Sequence, residues 1–213
     1  MAAVALEPVP TPARGLRSAL GAGSWADAIA TLAGLGPIGL LAALTLVLRG
    51  AEVYGLDIVD ADTVRPRWLQ AIGGHYVDGR DVSPVHVDDT LGLMDLIVEA
   101  AGVPSLAFNL LDALAPDGAY ALTGIPGGDK LIQLPGAELM RRLVLNNQVM
   151  LGSVNAARDH FQMAVDDLAL AHARWGDHIT RLITHRHTAA DFDAALRHHG
   201  QDEIKVVLEW DNV

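Results

Sequence analysis

The 213-residue sequence predicts an α/β fold built on a doubly wound parallel sheet. Three observations lead there. From Ser24 onward, short apolar runs alternate with segments of helical length, and Gly, Pro or Asp marks most of the changes. Met94 to Glu99 is a nearly continuous apolar run bounded by polar residues, as expected of a strand covered on both faces. Finally, in Ala28 to Asp57 an apolar run leads into Gly34-x-Gly36-x-x-Gly39, then an uncharged helix-forming segment, then Glu52-Val53-Tyr54-Gly55-Leu56-Asp57.

That last order, strand, glycine triplet, helix, strand and acid, is that of a Rossmann-type dinucleotide-binding unit. Gly34 permits the tight turn off the strand, Gly36 lets the backbone approach a pyrophosphate, and Gly39 lets the helix lie close to the strand. Pro37 stands where a first-turn proline costs no hydrogen bond. With Ile38 it completes the loop at a helix N-terminus whose free N–H groups and positive dipole end suit phosphate. Asp57 falls where a carboxylate accepts hydrogen bonds from an adenosine ribose. The uncharged stretch Ala28 to Leu48 is also about long enough to span a bilayer. Its central glycines and proline, and flanks without a positive-side bias, argue against that, and no membrane partner is expected.

Taken in order, residues 1–23 form a proline-punctuated connecting segment, with a short helix over Pro12 to Leu20. Residues 24–154 form the dinucleotide-binding domain. Its strands are expected at Ala28 to Ala33, Glu52 to Asp57, His75 to Asp78, Met94 to Glu99, Ala119 to Thr123 and Gln148 to Gly152, with a further one at Lys130 to Leu134. Its helices are expected at Pro37 to Arg49, Arg65 to Ile72, Pro104 to Leu114 and Gly136 to Leu145; Gly73-Gly74 stops the second. Residues 155–213 form an extension. There Ala156 to Arg174 reads as a helix with Phe161, Ala164, Val165 and Leu168 on one face and Asn155 as its N-cap. Thr188 to His199 reads as a second amphipathic helix and Ile204 to Trp210 as a last strand.

Composition narrows the function. A chain that is 51% hydrophobic has enough apolar surface to fold. A formal net charge of -11 without a local basic patch argues against a nucleic-acid partner. The sequence has no cysteine, so disulfides and thiolate metal sites are excluded, which suits the cytoplasm. Met1 to Gly15 lacks the pattern of a secretory signal.

Four segments carry a resemblance. They are Leu35-Gly36-Pro37-Ile38-Gly39-Leu40-Leu41, Thr123-Gly124-Ile125-Pro126-Gly127-Gly128, Leu151-Gly152-Ser153-Val154-Asn155-Ala156 and Ile204-Lys205-Val206-Val207. Together they resemble the C-terminal half of the glucose dehydrogenases, in the zinc-dependent medium-chain alcohol dehydrogenase superfamily. The third is the most family-specific. The resemblance implies oxidation of the anomeric carbon of an aldose to a lactone, with hydride passing to NAD or NADP while a catalytic zinc polarises the sugar hydroxyl. By the same analogy Gly34, Gly36, Pro37, Ile38 and Gly39 match the pyrophosphate loop and Asp57 the ribose position. Thr123, Gly124, Ile125, Ser153, Val154 and Asn155 resemble the segments lining the nicotinamide, and Asn155 also reaches toward the sugar.

The departures matter as much. Family members carry an N-terminal GroES-like domain that supplies most zinc ligands, and nothing here corresponds to it. Glu7-Pro8 resembles the pair that closes that domain, with Glu7 near zinc. The chain is therefore expected to be a truncated enzyme or half of a split one, and its partners an N-terminal catalytic-domain polypeptide or further copies of itself. In the family the C-terminal helices and last strand pack on the absent domain, so an apolar patch is expected after Ala156. Ala101 stands where the family usually has a hydroxyl or other small residue. Arg65 and Arg67 could reach a 2'-phosphate, but Asp57 repels one, so NAD is favoured over NADP.

Other residues have plainer readings. His185-x-His187 and His198-His199 invite a metal, but no third ligand is fixed by spacing, and solvated histidines are expected. Asp88-Asp89 and Asp166-Asp167 are expected on solvated faces, and Trp68, Trp175 and Trp210 in packing roles. Ser153 has no His and Asp arranged to make it a nucleophile. Two other functions stay open: a non-catalytic dinucleotide-binding or interaction module, and a glycine triplet that is structural and binds nothing.

Overall fold

The computed structural model describes residues 25–26, 28–129, 131–197 and 200–210. Six parallel strands make the main sheet: β1 (Ile29–Ala33), β2 (Glu52–Asp57), β3 (His75–Asp78), β4 (Met94–Glu99), β5 (Leu114–Leu122) and β6 (Val149–Gly152). They lie in the order β3-β2-β1-β4-β5-β6, so the chain winds outward from β1 in both directions. This is the doubly wound arrangement, with its switch point between β1 and β4. The helices are α1 (Pro37–Leu48), α2 (Val64–Ala71), α3 (Val87–Leu91), α4 (Pro104–Asn109), α5 (Gly136–Leu145), α6 (Arg158–Trp175) and α7 (Phe192–Arg197). A second, two-stranded parallel sheet pairs β7 (Ile183–Thr188) with β8 (Lys205–Glu209).

Side chains of β4 alternate between two cores. Leu96 and Val98 join Leu32, Val53, the α1 leucines, Trp68 and Leu69 on one face. Ile97 joins Leu56, Leu110, Leu111 and Tyr120 on the other. Every residue of β4 except Asp95 is buried, in keeping with its apolar sequence.

The uncharged stretch has an explanation in packing. Helix α1 is buried from Gly39 through Val47, so it needs apolar residues all round rather than a stripe. At 12 residues it is about 18 Å long, well short of a bilayer core. Among the described residues no helix is long and apolar enough to cross a membrane.

The C-terminal residues cover α1. Ala164 and Ala171 of α6, with Ile179, Leu182 and Ile204, enter the same core as the α1 leucines. Between those alanines lies Asp167, buried, and both its oxygens take hydrogen bonds from the Arg49 guanidinium, at 3.0 and 3.2 Å. Arg49 also donates to the Thr45 carbonyl, so the pair fastens the end of α1 to the middle of α6.

Several expectations are corrected. The packed face of α6 is Ala164, Asp167, Leu168 and Ala171; of the expected face Ala164 and Leu168 pack, while Phe161 and Val165 point outward, and Asp167 is not on a solvated face. Ala157, not Asn155, caps α6, and its N–H donates to His160 Nδ1. Residues 131–134 form no strand, and Lys130 lies outside the described residues. The segment from Thr188 is not one helix: Thr188 ends β7, its hydroxyl donates to Asp191, and α7 begins only at Phe192. Pro104 to Leu114 breaks after Asn109 into a 3-10 turn, and Leu114 opens β5, which kinks at Asp117 with φ of 60°. Trp68 is buried, but Trp210 is 76% exposed. The helix at Pro12 to Leu20, Glu7 and the His198-His199 pair lie outside the described residues.

The Arg49–Asp167 pair yields a stability test. Removing Asp167 leaves a largely buried guanidinium unpaired, at a cost of about 2 kcal/mol after allowing for the partial exposure of Arg49. Asp167→Ala is expected to lower Tm by about 4–8 °C in thermal unfolding. The double variant Arg49→Met/Asp167→Ala is expected to lose less than the sum of the two single changes.

Candidate functional site

The carboxyl ends of β1, β2, β4, β5 and β6 lie along one edge of the main sheet, because its strands are parallel. Ligands of such sheets sit beyond that edge, at the switch point. Here the glycine turn follows β1 directly. Gly34 takes φ of 94°, a left-handed conformation costly for other residues, and its N–H donates to the Leu56 carbonyl at 2.8 Å. Gly39 has no room for a side chain: a Cβ there would lie 1.9 Å from the Gly34 carbonyl oxygen. At Gly36 the opposite holds, since a Cβ would meet nothing within 4 Å. The Gly36 backbone therefore faces open space, with Pro37 and Ile38 in the first turn of α1 behind it. That turn holds no acidic side chain to compete for its N–H groups.

Asp57, the last residue of β2, is held against this turn. One carboxylate oxygen accepts the Leu35 N–H at 2.6 Å and the other the Ile58 N–H at 2.7 Å. Each oxygen keeps a further lone pair for a ligand. The Tyr76 hydroxyl lies against the carbonyls of Asp57 and Val59 and supports the strand end from below. Burial, helped by the charges of Asp78 and Asp57, pushes the Tyr76 phenol up to about 12, so it stays protonated as a donor at neutral pH.

Gly34, Gly36 and Asp57 line one cleft of about 440 Å³, closed by Ile58 and Arg65 on one side and by Ala100, Ala101 and Val103 on the other. Arg65 is tethered, its Nε donating to the Glu203 carbonyl at 2.8 Å. Arg67 does not reach this cleft; it lines a separate groove beside Trp68 and Arg181. Arg80, near the cleft at Gly79, is committed elsewhere. Its Nε donates to Asp78 at 2.9 Å and its Nη1 to Asp60 at 2.8 Å. Hydrogen bonds from the Arg80 side chain and backbone hold the Asp78 carboxyl down to about 2.

The remaining candidates stand at the neighbouring strand ends, outside that cleft. The Thr123 N–H and hydroxyl and the Gly124 N–H all donate to the Glu99 carbonyl, at 2.8, 2.7 and 3.0 Å. Ile125 is 80% exposed beyond them. Just past β6, the Ser153 N–H donates to the Leu122 carbonyl at 2.9 Å, which sets the Ser153 segment beside the Thr123 segment. Ser153 is buried, whereas Val154 and Asn155 are exposed. Ile58, Ala100 and Val103 were not singled out from the sequence. Their signal was position alone, just past the carboxyl ends of β2 and β4, where the cleft of a doubly wound sheet lies.

No group of three or more His, Cys, Asp or Glu side chains is arranged to hold a metal among the described residues. His185 and His187 occupy alternate positions on β7, and the His185 Nε2 lies 3.5 Å from Asp202. The described residues therefore do not by themselves fit a zinc centre.

Comparison with known proteins identifies the family and the fold. The model of the family described as glucose dehydrogenase C-terminus matches residues 2–210. Glucose 1-dehydrogenase 1 of Caldivirga maquilingensis is 35% identical over 212 residues, which cover 97% of this chain and 58% of that protein. The glucose 1-dehydrogenase of Halobacterium salinarum is 32% identical over 210 residues, covering 96% and 58%. The structure of Haloferax mediterranei glucose dehydrogenase in complex with NADP, Zn and gluconolactone matches with a TM-score of 0.86 at 28% identity, over 98% of this chain and 58% of that one. The chain thus spans about 58% of the length of these relatives. With a family match over nearly all its residues and the doubly wound sheet those enzymes share, the chain belongs to the glucose dehydrogenase C-terminus family.

Proposed function

We propose that this chain is the dinucleotide-binding part of a glucose 1-dehydrogenase that oxidises an aldose to its lactone, and that it prefers NAD to NADP. One observation carries the reading: the open face of Gly36 and the pinned carboxylate of Asp57 share a single cleft at the switch point. When bound, the nicotinamide supplies the hydride acceptor. The protein's own part is binding and orientation. Backbone N–H groups at the start of α1 receive the pyrophosphate beside Gly36, and Asp57 accepts from the ribose hydroxyls. The Thr123–Ile125 and Ser153–Asn155 segments border the nicotinamide end, with Asn155 toward the sugar.

The preference for NAD follows from charge. A 2'-phosphate would sit against the Asp57 carboxylate, and Arg80 is already shared by Asp78 and Asp60. Among the described residues Arg65 is the cation that lines the cleft, and its Nε is already engaged. The Haloferax relative was solved with NADP, so the preference is a property to be tested on this chain itself. Zinc and the rest of the catalytic apparatus would come from a complementary N-terminal polypeptide, in a cytoplasmic enzyme.

A second reading, a non-catalytic dinucleotide-binding module, draws on the lack of a metal-ligand set among the described residues. Turnover separates the two. Glucose oxidation on adding the complementary polypeptide supports the enzyme; saturable binding with no turnover in that mixture supports the module.

Titration with NADH and NADPH, followed by nicotinamide fluorescence, tests the site. NADH is expected to bind about tenfold or more tightly than NADPH, a difference of about 1.4 kcal/mol. Gly36→Val should lower Tm by no more than about 2–4 °C, because its side chain enters open space and only the N-cap preference for glycine is lost. It should nonetheless weaken NADH binding at least about a hundredfold by occupying the pyrophosphate position. Asp57→Ala should weaken NADH by about 1.5–3 kcal/mol, the worth of hydrogen bonds to a charged group, while narrowing or reversing the preference over NADPH. Equal affinity of wild type for both nucleotides, unmoved by Asp57→Ala, would refute the assigned role of Asp57.

A further inference from the structure

Glu99 is the last residue of β4 and only 2% exposed, a position where a carboxylate needs full hydrogen bonding. No ion pair involves it among the described residues. Instead the turn that follows curls back on it. Its Oε1 accepts the N–H groups of Ala101 at 2.9 Å and Gly102 at 2.6 Å, with the Val103 N–H at 3.4 Å. Gly102 takes φ of 67°, which lets successive N–H groups converge on one oxygen. Converging backbone N–H groups of this kind form an anion-binding nest, and here the anion is the chain's own side chain.

The same residue reaches the next loop. Its carbonyl collects the Thr123 and Gly124 donors, and its Oε2 would lie 2.5 Å from a Cβ at Gly124. Gly102 is equally close to that loop, since a Cβ there would lie 2.8 Å from the Ile125 carbonyl oxygen. The outer side of the turn matters for the cleft. Ala100, Ala101 and Val103 form the wall facing Asp57, and the Ala101 N would lie 2.9 Å from a Cβ at Gly34.

We infer that Glu99 is a positioning residue of the dinucleotide site: its buried carboxylate holds the Ala101–Val103 turn as the wall opposite Asp57 and ties that wall to the Thr123–Gly124 loop. It touches no ligand itself. What the wall holds rests on the dinucleotide reading above; that Glu99 holds the wall does not. The turn is anchored at its two ends, where the Ala100 N–H donates to the Ala33 carbonyl of β1 and Val103 stands as the N-cap of α4, but between them Ala101 is exposed, as is Val103. Without the carboxylate its three N–H groups lose their shared acceptor, and the cleft loses its fixed width.

Amide hydrogen exchange and nucleotide binding together test this on the full chain. In the wild type, the Ala101 and Gly102 amides are expected to exchange about a hundredfold or more slowly than unstructured ones, although they lie in an exposed turn. Glu99→Gln keeps the shape and removes the charge. It should speed exchange at residues 101–103 at least about tenfold while β1 and β2 stay protected, and weaken ADP-ribose and NADH about tenfold. Asp167→Ala, which destabilises the chain from a distance, should leave both affinities unchanged, as a merely structural role for Glu99 would not predict. Unaltered exchange in Glu99→Gln, or unaltered nucleotide affinity where the wild type binds, would overturn the proposal. If Glu99→Gln does not fold, unprotected Ala101 and Gly102 amides in the wild type would overturn it, and protected ones lost in Glu99→Asp would support it. Failure of the wild type to bind either nucleotide would sink the dinucleotide reading instead, with the exchange data still deciding the hold of Glu99 on its turn.

Discussion

The approach of Gly39 to the Gly34 carbonyl, too close for any side chain, is the contact on which the rest of the site depends. It lets α1 start directly against the end of β1. The first turn of that helix therefore opens beyond the sheet edge, and the Leu35 N–H points where β2 can deliver Asp57. A side chain at position 39 would push the helix off the strand and separate the backbone donors from the carboxylate. The glycine that makes the fold possible and the glycine that leaves room for a ligand are thus different residues. Position 39 is full and position 36 is empty.

The same closeness puts α1 inside the molecule, and that has a consequence at the other end of the chain. A helix buried from Gly39 to Val47 cannot show a polar face to water, so something must cover the side away from the sheet. The α6 alanines do so, small enough to let the helices approach, and the Arg49–Asp167 pair fixes their register. Residues on both sides of position 154 share one hydrophobic core here. Not all of the later residues find cover: Leu170, Phe192, Leu196 and Trp210 remain exposed.

The sheet was legible because a doubly wound fold writes itself in strong local signals. All six strands of the main sheet were read near their observed places, and the glycine triplet gave the turn. The C-terminal residues were harder for a physical reason. β7, Ile-Thr-His-Arg-His-Thr, has no apolar face to alternate, and only its pairing with β8 makes it a strand. The α6 face was misplaced because Asp167 looks like a solvent residue until Arg49, more than a hundred positions away, comes to meet it. Asn155 has the chemistry of a cap, but the chain stays extended through Ala157 before it turns helical. At the site, the place of Asp57 beside the glycine turn could be read from its distance to the glycines, whereas its role toward a ribose stays part of the proposal. The part of Glu99 could not, since its partners are backbone groups that carry no sequence signature.

Those backbone partners suggest how so acidic a chain could present the proposed site for an anionic cofactor. With a net charge of -11, cationic side chains are few, and those near the cleft are largely engaged: Arg80 with two aspartates, Arg65 through its Nε with a carbonyl. Among the described residues, the donors left for a ligand are peptide N–H groups at the start of α1, while those of the turn after β4 are taken by Glu99. Backbone dipoles attract an anion without long side chains that must be ordered on binding, and their direction is set by the fold rather than by rotamers. The chain applies this solution twice within one cleft. One set of N–H groups, filled by Glu99, builds the wall; the other, at Gly36, is left open to solvent, and it is the open one that faces the space a pyrophosphate would need.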